Sequence, residues 1–215
     1  MSLRIYGNRL LRTPTGLDTR PTLARVRTAV FGRWQERVRD CRWLDLCAGA
    51  GTMGAEALAR GAASALGIEL GARAARLAAE NWEKIAPGRG SIWKLDVLVG
   101  LERLGRAGEH FDLIYFDPPY RAGLYEKVLQ TVDQRMILSE HGEMAAEHDR
   151  RDSLPERVGT LVRVDSRTYS DTTVSYYRRA VPEAQSTADD SVRAALSSSE
   201  AGIAFALPDP VVFEE

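Results

Sequence analysis

Between Trp43 and about Arg179, short apolar runs alternate with segments of helical spacing, and this alternation limits the fold more than any other feature. Parallel strands cannot be joined by tight turns, so a strand, helix, strand rhythm implies crossover helices packed on a largely parallel sheet. The pattern predicts strands over residues 43–47, 65–69, 91–95, 111–116 and 142–148. Helices are expected over 54–60, 72–85, 99–105 and 124–135, the first stopped by Gly61 and the second by Pro87-Gly88. Residues 159–164 and 173–178 flank a polar stretch, 165–172, and are expected to close the sheet as an antiparallel pair. The fold class is therefore α/β, Rossmann-like, with a mixed sheet.

Three segments follow: a basic extension (1–42), the α/β domain (43–179), and an acidic, Ser-rich tail (180–215) whose lost periodicity predicts disorder. The first 42 residues hold ten arginines against three acids, and the residues after Ala180 hold one basic residue against seven acids. A basic arm ahead of a near-neutral body suits contact with a polyanion, because phosphates carry most nucleic-acid affinity. Leu23, Val26, Ala29, Val30 and Trp34 fall at helical spacing, with Arg25, Arg27 and Arg33 between them, which predicts an amphipathic helix with a basic face. Arg20, Arg25 and Arg27 are the candidates for holding phosphates. Two cysteines and three histidines form no ligand pattern, so no metal is expected. No apolar run approaches the roughly 20 residues of a membrane span. The expectation is a cytoplasmic monomer without a signal peptide or membrane contact.

A glycine-rich turn, Cys47-Ala48-Gly49-Ala50-Gly51-Thr52-Met53-Gly54, joins the first strand of the domain to its first helix. Gly49-x-Gly51-x-x-Gly54, with Glu69 about 20 residues on, also fits a dinucleotide fingerprint, so a nicotinamide-dependent oxidoreductase is a rival. Asp45 favours S-adenosylmethionine (SAM) instead, because a carboxylate there attracts a methionine ammonium and repels a pyrophosphate. Glu69 would take ribose hydroxyls and Asp96 the adenine amino group. All three acids fall at successive strand ends, where open α/β sheets bind ligands.

The strand 111–116 runs into Asp117-Pro118-Pro119-Tyr120. Two prolines make a stiff turn without N–H groups. An exocyclic amine is a poor nucleophile because its lone pair is delocalised into the ring. Two acceptors, the Asp117 carboxylate and the Pro118 carbonyl, would free that lone pair for attack on a sulfonium methyl. Tyr120 would stack on a base taken out of its helix. The oxidoreductase reading has no use for this turn.

Taken together these residues resemble the RsmD-like 16S rRNA guanine-N2 methyltransferases of bacteria. The likeness runs from about Arg4 to Arg178. It is carried by Arg4-Ile5-Tyr6-Gly7, Arg20-Pro21-Thr22, Arg25-Val26-Arg27 and Phe31. It continues through Leu44-Asp45-Leu46, Ala48-Gly49-Ala50-Gly51, Gly54-Ala55-Glu56-Ala57-Leu58 and Arg60-Gly61-Ala62. Glu69, Asn81, Asp117-Pro118-Pro119-Tyr120 and Tyr169-Ser170-Asp171-Thr172 complete it. The resemblance implies a class I methyltransferase with a seven-stranded sheet and SAM as donor, held by Asp45, Ala48, Gly49, Gly51, Glu69 and Asp96. It implies a guanine of small-subunit rRNA, free or in an assembling subunit, as target. Cys47, Ala24 and Thr28 depart from the family's usual Phe, acid and Glu. Adenine-N6 methylation of DNA or RNA is the alternative within the class, and a non-catalytic RNA-binding protein the alternative outside it.

Overall fold

A computed structural model of the chain describes residues 2–13, 21–119 and 123–180, with no account of the side chains of residues 21–23. The tail beyond Ala180, Arg20 and Tyr120 lie outside the described residues.

Strands β3 (Arg42–Leu46), β4 (Ser64–Glu69), β5 (Gly90–Lys94), β6 (Phe111–Phe116) and β7 (Leu138–Asp149) pair in parallel in the order β5-β4-β3-β6-β7. Beyond β7 the sheet turns antiparallel with β10 (Thr172–Arg179), β9 (Leu161–Tyr169) and β8 (Arg157–Val158). Seven strands of this sheet are the expected ones. The eighth, β8, is two residues long and sits at the edge. The antiparallel pair is longer than the pattern predicted, because β9 continues through the polar residues 165–169 and the turn is only Ser170-Asp171. Most of those residues are exposed, so they alternate no apolar face and read as loop.

The crossovers are α2 (Thr52–Ala59), α3 (Ala72–Ile85), α4 (Val97–Arg106) and α5 (Tyr125–Gln134). Each side of the sheet carries its own apolar layer. One gathers Leu44, Leu46, Ile68, Phe116, Leu101 and Val128 under α4 and α5. The other gathers Trp43, Tyr115, Ala145 and Tyr176 with α2, α3 and the N-terminal segment.

The extension is not a free arm. Its helix α1 (Pro21–Arg33) buries Val26, Val30 and Phe31 in the second layer, and Trp34, the next residue, is buried with them. Phe31 stacks on Trp43 at 5.4 Å, and Trp34 meets Trp43 and Tyr176 edge-on at 5.5 and 6.2 Å. Such pairs add about 0.5–1.5 kcal/mol each beyond area burial. A short antiparallel hairpin, β1 (Ser2–Ile5) with β2 (Arg9–Arg12), precedes it and was not foreseen. Of its apolar residues only Ile5 and Leu11 are buried, too few for a readable period.

Candidate active site

All five parallel strands end at one edge, and the singled-out acids follow those ends. Asp45 sits near the end of β3, and Glu69 is the last residue of β4. Asp96 follows β5, and Asp117 follows β6. The turn after β3 reaches across its neighbours: Ala48 N donates to Ile68 O at 3.0 Å, and Asp117 N donates to Leu46 O at 3.3 Å. The second bond fixes the start of the diproline turn beside the glycine loop.

That loop is conformationally demanding. Cys47, Gly49 and Gly51 have φ of 62°, 55° and 73°, values that favour glycine. The three glycines of the fingerprint serve different ends. A Cβ on Gly49 would meet nothing within 4 Å, so this backbone faces open space. On Gly51 or Gly54 a Cβ would run into Trp82, at 2.5 and 2.0 Å. Trp82 is fully buried and donates its Nε1–H to Gly51 O at 2.7 Å. Only Gly49 keeps a backbone open to a ligand; the other two let α2 close on α3. Trp82 was missed by sequence reading because it reads as an ordinary core residue.

The acids are more committed than the sequence suggested. Glu69 accepts from Gly49 N at 2.8 Å and Gly71 N at 2.7 Å, one bond per oxygen, and so ties the glycine loop to the start of α3. Asp45 is 2% exposed and accepts from Gly54 N at 2.9 Å. Burial pushes its pKa up to about 8, against which the Gly54 bond works. Asp96 caps α4 through Oδ1, from Leu98 N at 2.9 Å and Val99 N at 3.3 Å. Leu70, the residue after Glu69, is 68% exposed at this edge, an apolar surface that sequence reading passed over.

Asp117 is partly buried, Pro118 buried and Pro119 exposed. Burial of its carboxyl, with Glu147 and then Asp45 nearby, holds Asp117 well above the usual carboxylate range. Glu147 on β7 is buried, accepts a hydrogen bond from the Tyr115 hydroxyl, and is raised by desolvation. Neither stood out in the sequence: Tyr115 lies within an apolar strand, and Glu147 is one of several acids and histidines along β7.

The proposed phosphate ligands separate. Arg25 is exposed on α1. Arg27 lies 3.5 Å from the buried Glu56 and donates to Arg4 O at 3.1 Å, so it is spent on joining α1 to α2 and β1. The expectation of a continuous basic face on α1 is corrected further by Arg33, which pairs with buried Glu143 and with Asp165 and covers the Tyr176 ring at 4.2 Å. Arg150 and Arg151, on the loop leaving β7 at the site edge, are well exposed, with side-chain exposures of 60% and 77%, and pair with surface acids, Arg150 with Asp171 at 3.6 Å and Arg151 with Asp149 at 2.8 Å.

The sequence model of the family described as Conserved hypothetical protein 95 matches residues 3–178. The chain belongs to this family. It is an RsmD-like methyltransferase, and its fold is that of class I methyltransferases. YlbH of Bacillus subtilis strain 168, whose name proposes an rRNA methyltransferase, is 31% identical over 172 residues, 80% of this chain and 94% of that one. Ribosomal RNA small subunit methyltransferase D of Escherichia coli K12 is 28% identical over 157 residues, 71% and 78% of the two chains. The solved structure of yhhF from Escherichia coli, whose name proposes a methyltransferase, superposes with a TM-score of 0.74 at 26% identity, covering 83% and 98%. The methyl donor of the family is SAM, and this edge fits it. Gly49 offers open backbone, Glu69 and Asp96 stand at or just past the ends of the next two strands, and the acids Asp45 of β3 and Glu147 of β7 are buried. No helix of the described residues is long and apolar enough to cross a membrane.

Proposed function

We propose that the protein transfers the methyl group of SAM to the exocyclic N2 of a guanine in small-subunit rRNA. The observation that carries this reading is the place of Asp117 and the diproline turn. They leave β6 at the sheet's ligand edge, bonded to the end of β3 beside the glycine loop. An amine donating to the Asp117 carboxyl and the Pro118 carbonyl is held beside the donor pocket with its lone pair freed. When bound, the donor supplies an activated methyl; the protein orients the base and keeps water out. Tyr120, outside the described residues, is assigned the stacking surface. Asp45, Ala48, Gly49, Gly51, Glu69 and Asp96 are assigned to the cofactor, Asp45 and Glu69 also through the backbone they fix. RNA phosphates are assigned to Arg20 and Arg25, joined by Arg150 and Arg151 at the site edge; Arg27 is withdrawn from that role. Guanine in small-subunit rRNA is preferred because of the likeness to small subunit methyltransferase D, and because Asp stands at 117 where adenine-N6 enzymes often carry Asn.

The test is methyl transfer from labelled SAM to naked rRNA, small subunits and DNA side by side, followed by digestion to nucleosides. The label is expected in N2-methylguanosine from small-subunit RNA. Label in N6-methyladenosine, or in DNA alone, contradicts the assignment.

A further inference from the structure

Alternate residues of a strand share a face. By this rule Asp45 on β3, Tyr115 and Asp117 along β6, and Glu147 on β7 fall on the α1 side of the sheet. Asp45 is opposite Tyr115, and Tyr115 is opposite Ala145. Phe116 pairs with Ala146, so Asp117 and Glu147 stand at the next step of adjacent strands. Among the described residues, no cation is paired with them. Asp45 takes a neutral N–H from Gly54, and Glu147 takes the neutral Tyr115 hydroxyl. From β10 the opposing residue is apolar Val174. Tyr125 of α5 donates to the Glu147 backbone carbonyl, and Cys47 approaches from the β3 end. His148 follows on the opposite face, its Nε2 at Ser175 Oγ. None of the ion pairs among the described residues includes Asp45, Asp117 or Glu147. Neighbouring buried carboxyls cannot both ionise cheaply, because each charge lacks water and feels the other. Such a site is relieved by keeping a proton, or by a cation brought from outside that lets the proton leave.

We propose that Glu147 and Tyr115 are positioning residues that tie the ionisation of Asp117 to the charge of the methyl donor. The inference rests on SAM occupying this edge with Asp117 at the base. With the positive sulfonium bound, the Asp117–Glu147 pair breaks one carboxyl O–H bond and releases that proton to solvent, and Asp117 becomes a full acceptor for the amine. Methyl transfer forms the N–C bond and breaks the C–S bond, whose electron pair stays on sulfur. The methylated amine then carries a surplus proton, and the pair, now beside a neutral thioether, takes it back. The Tyr115 hydroxyl supports the charge left on Glu147. Raised carboxyl pKa values at Asp117 and Glu147 agree with this.

Isothermal titration of the full chain with SAM and with its demethylated product, S-adenosylhomocysteine, in buffers of different ionisation enthalpy, tests this. The two ligands share the amino acid and adenosine groups and differ in the sulfur charge. SAM is expected to release up to one proton more than the product. The ratio of their affinities then shifts toward SAM as pH rises, by up to ~10-fold per pH unit. Glu147→Gln and Tyr115→Phe should shrink that difference, whereas a merely structural role would change both affinities alike and leave it intact. Equal proton release by the two ligands in the unmodified protein overturns the coupling whether or not the variants fold. An undiminished difference in either folded variant overturns that residue's part. Failure of both ligands to bind instead removes the reading of the site on which the coupling rests.

Discussion

Asp45, Glu69 and Asp96 each shape the binding edge by holding backbone amides. Glu69 spans Gly49 and Gly71, Asp45 holds the start of α2 at Gly54, and Asp96 caps α4. Sequence position located these acids well but could not reveal their backbone partners, because those come from turns that only the assembled sheet brings close. Asp45 has a measurable cost. Its pKa is pushed up to about 8 by burial, so the folded protein keeps a proton that the unfolded chain sheds near its ordinary value. The resulting stability is present at low pH and is lost as pH rises through about 8. Thermal unfolding of the ligand-free protein between about pH 5 and pH 8 should therefore show a falling Tm. Asp45→Asn, whose amide oxygen can still accept from Gly54, should flatten that fall; parallel curves for the two proteins would exclude Asp45 as its source.

Among the elements, β3 to β6 and α2 to α5 were legible, since buried parallel strands read as apolar runs and their helices carry clear periods and stops. The outer half of β9, two-residue β8 and the β1–β2 hairpin were not, because exposed or very short strands present no apolar face to read. The diproline turn was plain in Asp117-Pro118-Pro119, whereas Glu147 was hidden among the other acids and histidines of β7. The glycine turn was also plain, but its division of labour depends on Trp82, 31 residues beyond Gly51. Gly54→Ala should destabilise the fold by about 1–3 kcal/mol through overpacking against Trp82. At Gly49 the added methyl has room, and the positive φ is the main structural cost, about 1 kcal/mol. Denaturant unfolding and SAM titration should therefore rank the two variants in opposite orders: Gly54→Ala weaker in stability, Gly49→Ala weaker in affinity relative to its stability loss. The same order in both would contradict this division.

At the scale of the molecule, the basic extension and the sheet form one body. α1 shares an aromatic layer with β3 and β10, and buried Glu143 of β7 gathers Arg33, Arg37, Arg178 and the Trp34 indole. Much of the positive charge that suggested an RNA arm is thus consumed inside the fold; the exposed Arg25, Arg150 and Arg151 remain on its surface. The parallel strands of this body all end at one edge, where donor, base and Asp117 are proposed to meet. The most direct measurement is single-turnover methyl transfer to small-subunit RNA by the unmodified protein and by Asp117→Ala, with SAM affinity measured on the same samples. The expected result is a loss of at least ~100-fold in rate with SAM affinity nearly unchanged. Methyl transfer at an undiminished rate by a folded, SAM-binding Asp117→Ala protein would contradict the assignment of this corner as the catalytic centre.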